Sequence, residues 1–253
     1  MALRLFVPVP LAATAALALP AGAARHAMVR RVQPGDDLVL FDGSGHDWPA
    51  RVLAVTRNSV SVSVGPAQAV NKELPVAVTL AVVVPANERM DVLVEKATEL
   101  GALHIQPLHS ERSVLRLGGE QAERAERKRT HWQAVAQAAC EQCGRAVVPQ
   151  VAAVRQLQDW LRSLSHNAHS ELPSQAPEAQ RWLLSLQGGA RGVSAQAWPR
   201  QGLLTLSGPE GGFTADEEAW AAAAGFVAVD LGPRILRAET APLAVLAWLA
   251  LSV

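Results

Sequence analysis

The chain has 253 residues, 49% of them hydrophobic, and its 23 basic and 23 acidic side chains balance to a net charge of zero. That length holds one large or two modest domains, and that apolar share builds real cores, so a chain disordered throughout is excluded. Zero net charge excludes a global basic field, which leaves only local patches for any nucleic acid, and two cysteines three apart argue against a disulfide-stapled secreted domain.

Residues 1–24 lead from Arg4 through a Pro-, Ala- and Leu-rich stretch to a small-residue end, the outline of a secretory signal. Pro8 and Pro10 interrupt its apolar core, and Arg4 is its only leading charge. No run reaches the roughly 18 uninterrupted apolar residues of a membrane span. Arg25, His26, Arg30 and Arg31 follow on a short predicted helix. Taken singly, each is a solvated basic face more readily than a ligand site.

Residues 36–65 alternate and turn like a small β-barrel, with Asp42-Gly43 between apolar runs as a hairpin signal. A linker follows at 66–75, and the domain boundary is predicted near residue 72. From residue 76 the pattern becomes α/β. Residues 76–84 are a near-continuous β-branched run, as expected of a buried strand. Met90, Leu93, Val94, Ala97 and Leu100 recur at helical spacing with Gly101 as stop.

A short strand at 104–107 and a long helix over about 120–142 come next. Arg112 and Arg116 precede that helix, and Arg124, Arg127, Lys128 and Arg129 lie near its start. They form either an RNA-facing surface or, with Glu120, Glu123 and Glu126 interspersed, a solvated helix face. Cys140 and Cys143 make a single C-x-x-C at the end of the helix. One pair supplies two ligands where structural zinc needs four, so core packing is the better reading and no metal is expected. Residues 155–201 are rich in Ser, Gln, Ala, Pro and Gly, and only Trp160, Leu161, Leu164 and Trp182 suggest packed elements; no site is assigned there.

The most informative stretch begins at Leu203. Leu203 to Ser207 reads as a short buried strand, Gly208-Pro209-Glu210-Gly211-Gly212-Phe213 as a loop, and Thr214 with Glu217 as a capping box that starts a helix. The loop is neither a P-loop nor a G-x-G-x-x-G turn. A second loop, Leu231-Gly232-Pro233-Arg234-Ile235-Leu236-Arg237-Ala238-Glu239-Thr240, leads to a last helix over 241–251. Two strand–loop–helix units of this kind hold small ligands at the carboxyl ends of strands. Arg234 and Arg237 present planar, permanently charged donors suited to phosphate or a base carbonyl.

These two loops together resemble the signature of the 16S ribosomal RNA uracil-N3 methyltransferases, the RsmE family of the SPOUT superfamily. Four further segments agree with it: Leu38-Val39-Leu40-Phe41-Asp42-Gly43, Glu95-Lys96-Ala97-Thr98-Glu99-Leu100-Gly101, Ser110-Glu111-Arg112-Ser113, and Ala139-Cys140-Glu141-Gln142-Cys143-Gly144-Arg145. The likeness spans nearly the whole chain in order, residues 1–24 included. Met28, Ala86 and Ser207 depart from the family pattern, which usually has arginine, a basic residue and a larger apolar residue at those places.

The resemblance implies an α/β protein: a PUA-like RNA-binding β-barrel over 1–72, and a SPOUT α/β domain over 73–253 with a deep trefoil knot in about 203–253. It implies methyl transfer from S-adenosylmethionine to N3 of one uridine in 16S ribosomal RNA, on the 30S subunit, by a cytoplasmic homodimer that uses neither metal nor membrane. Cofactor contacts are expected from Leu206, Ser207, Gly208, Pro209, Gly211, Gly212, Leu231, Gly232, Ile235, Leu236 and Thr240. RNA contacts are expected from Arg25, Arg30, Arg31, Arg112 and Arg145.

Uracil N3 becomes a nucleophile only when its proton leaves, and the charge then spreads onto O2 and O4. Arg237, then Arg234, is expected to stabilise that charge, and Glu210 or Glu239 to accept the proton. For both glutamates a structural role, as a loop hydrogen bond or a helix N-terminal charge, stays open. Also open are another RNA substrate, a noncatalytic RNA-binding protein, and an exported protein cleaved after residue 24.

Overall fold

The computed structural model describes residues 2–86, 89–113, 120–166, 179–185 and 190–252. Arg116 lies outside them. The chain divides into two compact units, one of residues 1–73 with 137–148, the other of 74–136 with 149–253.

The first unit is a six-stranded sheet built from β1 (Leu3–Phe6), β2 (Thr14–Ala18), β3 (Asp37–Phe41), β4 (His46–Val55), β5 (Val60–Val64) and β6 (Gln68–Ala69), with helix α1 (Ala21–Val29). The strand order is β1-β3-β4-β5-β2, with β6 beside β4; β1 and β3 run parallel and the other pairs antiparallel. Val-Ser-Val-Ser-Val in β5 alternates between buried and half-buried, as a sheet with one face on a core requires. That core takes Leu5, Leu38, Leu40, Val52, Val60 and Val62, and Ala23, Ala24 and Ala27 lay the small face of α1 against it. The stretch that outlines a signal sequence forms two strands and the start of a helix. Leu11 donates its backbone N–H to Asp42 Oδ2 at 2.8 Å, so the segment between the two strands is tied to the β3–β4 hairpin.

Helix α1 ends unusually. Val32 N–H reaches Ala27 O at 3.2 Å and Arg31 N–H reaches Met28 O at 2.9 Å, the bonds of a Schellman cap. The left-handed position of that cap is normally glycine, and here Arg31 occupies it with φ 58°. An L-residue there loses roughly 1–2 kcal/mol to the Cβ–carbonyl clash.

Residues 137–148 pack with this unit through polar contacts. Glu141 accepts Phe6 N–H at 2.9 Å and pairs with His26 at 3.0 Å. Cys140 is fully buried beside Phe41 and Ala146, in agreement with core packing. The Cys143 hydrogen bond and burial push its thiol far above the ordinary range, which removes the thiolate that reacts.

The second unit holds β7 (Val78–Val83), α2 (Arg89–Glu99), β8 (His104–His109), most of α3 (Glu120–Cys143), β9 (Gln150–Val151), β10 (Arg155–Gln156), α4 (Leu157–His166), β11 (Gln180–Leu184), β12 (Arg191–Gly192), β13 (Leu203–Ser207), α5 (Ala215–Ala223), β14 (Val227–Asp230) and α6 (Thr240–Leu251). Its eight-stranded sheet runs β10-β8-β7-β13-β11-β14-β12 with β9 beside β8, and every pairing is parallel. All six residues of β7 are buried, because helices cover both faces. Leu204 and Leu206 point to a cluster with Trp160, Leu161, Leu183 and Phe226 from the α4–α5 side. On the other face α6 packs on β13 and on α2, burying Val245, Leu246 and Leu249.

Replacing Arg31 with glycine should raise stability by about 1 kcal/mol, because it removes the left-handed penalty; denaturant unfolding measures it, and an unchanged midpoint would refute the strain. Alkylation of native protein near pH 8 should spare Cys140 until the chain unfolds, as read by peptide mass spectrometry.

Candidate active site

In a parallel sheet all strands end at one edge, where ligands bind. Here β13, β11 and β14 end side by side: Ser207 pairs in register with Leu184, and Leu184 with Val229. Above that row lies a cavity of about 500 Å³, walled by 207–213 on one side and 229–238 on the other. That volume falls within the usual range for a small-molecule site, roughly 300–1,000 Å³.

The first wall owes its shape to local chemistry. Gly212, at φ +66°, closes a turn by donating to Pro209 O at 2.9 Å. A Cβ on Gly208 would stand 3.1 Å from the Phe213 ring, so glycine lets that ring fold back without displacement. The capping box is present: Thr214 Oγ1 accepts Glu217 N–H at 3.2 Å, and Glu217 Oε2 accepts Thr214 N–H at 2.9 Å. Glu217 Oε1 also accepts Glu111 N–H at 2.8 Å, and the residue is 2% exposed. One buried carboxylate therefore joins the loop after β8 to the loop after β13. Arg112 adds a second tie through its guanidinium, which donates to Gly211 O at 2.8 Å and Phe213 O at 3.3 Å.

The second wall starts with Asp230, which accepts Gly232 N–H at 2.9 Å, and turns at Gly232 with φ +107°. Arg234 and Arg237 are exposed and line the cavity; among the described residues no carboxylate pairs with either. The Arg237 carbonyl accepts Thr240 N–H at 2.9 Å and begins α6. Glu210 lines the cavity, and its Oε1 accepts Ala86 N–H at 3.1 Å and Arg89 Nη1–H at 2.9 Å. Arg89 Nε also lies 3.9 Å from Glu239 Oε1, so one guanidinium stands between the carboxylates of both loops.

Of the expected cofactor residues, Ser207, Gly208, Pro209, Gly212, Leu231, Gly232, Ile235 and Leu236 line the cavity together. Leu206, Gly211 and Thr240 do not, and neither does Glu239, one of the two expected proton acceptors. Leu206 faces the α4–α5 core, and a side chain on Gly211 would meet Arg112 at 3.5 Å instead of the cavity. Arg25, Arg30 and Arg31 are exposed on α1 and its cap. Arg145 turns inward: it is 2% exposed and ion-paired with Glu73, one contact measuring 3.0 Å. Its charge is thus consumed within the fold, a placement its glycine-flanked position does not announce.

Sequence reasoning missed Leu184, Ser185, Glu218 and Asp230 in the lining, and Arg89 beneath it. The only signal for the first two was the brief apolar run Trp182-Leu183-Leu184. Among the described residues no group of three or more His, Cys, Asp or Glu could hold a metal, and no helix is long and apolar enough to cross a membrane.

Comparisons with known proteins fit this geometry. The sequence model of a family described as RNA methyltransferase domain matches residues 72–250, and that of the RNA methyltransferase PUA domain matches 19–65. The ribosomal RNA small subunit methyltransferase E of Bacillus subtilis is 32% identical over 218 residues, 85% of this chain and 81% of that protein. The crystal structure of the protein of that name from Neisseria gonorrhoeae, bound to S-adenosyl methionine, is 34% identical with a TM-score of 0.87, covering 98% of this chain and 96% of that one. A Legionella pneumophila protein solved with the cofactor SAM is 28% identical with a TM-score of 0.89, covering 100% of this chain and 98% of that one.

Glu217→Ala should destabilise the protein by about 3 kcal/mol, since two N–H groups lose a charged acceptor inside the fold. Thermal unfolding of the variant tests this, and a loss below about 1 kcal/mol would show that the carboxylate is not the tie described.

Proposed function

We propose a function from one premise: the chain belongs to the RNA methyltransferase family that includes the ribosomal RNA small subunit methyltransferase E proteins. It methylates ribosomal RNA of the small subunit with S-adenosylmethionine as donor, and the proposed acceptor is N3 of a uridine in 16S RNA. The observation that carries this reading is the cavity itself. It has an apolar floor of strand ends, glycine turns at its walls, and two exposed guanidiniums at its rim.

The residues present fit the cofactor. Leu184, Val229, Leu231, Ile235 and Leu236 supply apolar surface for a purine, and the loop backbone at Gly208 and Gly212 admits close approach. Leu206, Gly211 and Thr240 lie in the strand, the loop and the helix start that frame the cavity. Bound S-adenosylmethionine supplies a methyl group on a sulfonium leaving group, which needs no metal.

The chain's own residues do the rest. Arg237, with Arg234 beside it, is the proposed stabiliser of the negative charge that spreads onto uracil O2 and O4 when N3 loses its proton. Glu210 is the proposed proton acceptor. Arg89 occupies Oε1 of that carboxylate and so fixes its direction toward the cavity. Glu239 acts through Arg89 and the start of α6. Arg25, Arg30 and Arg31 are the proposed contacts to RNA phosphates, which position the substrate without reading sequence, while Arg112 braces the loop through the Gly211 and Phe213 carbonyls.

A trefoil knot over about 203–253 is part of the proposal, and the packing of α6 back onto β13 supports it. So is a homodimer acting on the 30S subunit in the cytoplasm; exposed Ile235, at 83%, and Leu251, at 87%, are consistent with pairing.

Labelled S-adenosylmethionine and 30S subunits lacking the modification should yield 3-methyluridine, identified by mass spectrometry. Cofactor binding without transfer would redirect the proposal to another RNA. Arg237→Ala should keep the fold and the cofactor affinity while lowering the transfer rate about a hundredfold; undiminished transfer would remove Arg237 from the mechanism.

A further inference from the structure

One polar group in the cavity has no work within the protein. Ser207 is 2% exposed, its Oγ has no hydrogen-bond partner among the protein's atoms, and it lines the cavity. A buried hydroxyl left unpaired destabilises a fold, and the residues in register with Ser207 on the neighbouring strands, Val82 and Leu184, are apolar. We propose that the Ser207 hydroxyl hydrogen-bonds the polar edge of the cofactor's adenine. The inference rests on the cofactor reading above and assigns one contact within it.

The surroundings select the base over the amino-acid end of the cofactor. Ser207 sits in the hydrocarbon floor, in one row with Leu184 and Val229. The Phe213 ring folds over Gly208, the next residue, and also lines the cavity. Apolar walls beside an unpaired neutral hydroxyl suit an uncharged heteroaromatic ring, which is apolar on its faces and polar at its edge. The zwitterionic amino-acid end needs charged partners, and the row of Leu184, Ser207 and Val229 holds none.

Thr205 supplies an internal control. It lies on the same strand two residues earlier, on the same face, is fully buried, and its hydroxyl is also unpartnered. It does not line the cavity.

The test is calorimetric titration of the full chain with S-adenosylhomocysteine and with 5′-methylthioadenosine, which keeps the base and ribose but lacks the amino acid. Ser207→Ala should weaken both by the same factor, about five- to tenfold, the loss of one neutral hydrogen bond. Thr205→Val should leave both unchanged. The melting temperature of Ser207→Ala without ligand should hold or rise, because an unpaired hydroxyl has been removed.

Weakening of S-adenosylhomocysteine alone would move the contact to the amino-acid end and overturn the assignment. Unchanged binding of both ligands, or lost affinity accompanied by a lower melting temperature, would overturn it as well. If the unaltered chain bound neither ligand, the cofactor reading itself would fall; if it bound both and Ser207→Ala bound them equally, only the Ser207 contact would.

Discussion

A parallel sheet can be extended only through crossovers, and this constraint governs the second unit. Each strand must leave the sheet at the same edge, so the irregular backbone collects there. Loops at such an edge carry unpaired N–H and C=O groups that need partners. The chain supplies them with a few long polar side chains. Glu217 takes the N–H groups of Thr214 and Glu111, Arg112 takes the carbonyls of Gly211 and Phe213, and Glu210 takes the N–H of Ala86. The cavity is the space these ties leave open.

The same constraint separates what sequence shows from what it hides. The capping box at Thr214 and Glu217 was legible because its chemistry is local, within four residues. The buried strand β7 was legible because six consecutive positions are apolar or β-branched, and α6 because its helix is apolar between Thr240 and Leu251. Strand β11 was not. It is only five residues long, begins Gln-Arg, and lies in a polar stretch; what makes it a central strand is its pairing with β13 and β14, a long-range fact. Helix α3 was legible in its length, yet its last turns cluster with the first unit, which no local pattern encodes.

Charged residues were the least legible, because a side chain's charge does not disclose its partner. Arg112, Arg145 and Arg237 look alike in sequence, each beside small or polar neighbours. In the structure Arg145 is buried against Glu73, Arg112 is spent on loop carbonyls, and Arg237 stays at the rim of the cavity. Arg89 carried no signal of its own, although it stands between the carboxylates of two loops contributed by segments more than 120 residues further on.

These arginines also show how one site reconciles rigidity with binding. A guanidinium paired with carboxylates holds a loop but offers a ligand little, because its field is already neutralised and its donors are occupied. An exposed, unpaired guanidinium contributes little to the fold and keeps its full charge for an incoming group. The two roles therefore cannot rest on one residue. Here they are divided: Arg89 and Arg112 brace the walls from outside, and Arg234 and Arg237 remain without a carboxylate partner among the described residues. In the proposed reaction, fixed walls hold those two charges in place before a substrate arrives, so little reorganisation is needed when negative charge develops. Ser207 follows the same logic at smaller scale, as an unpaired group at the end of a rigid strand, where the fold sets its direction and leaves its hydrogen bond unmade.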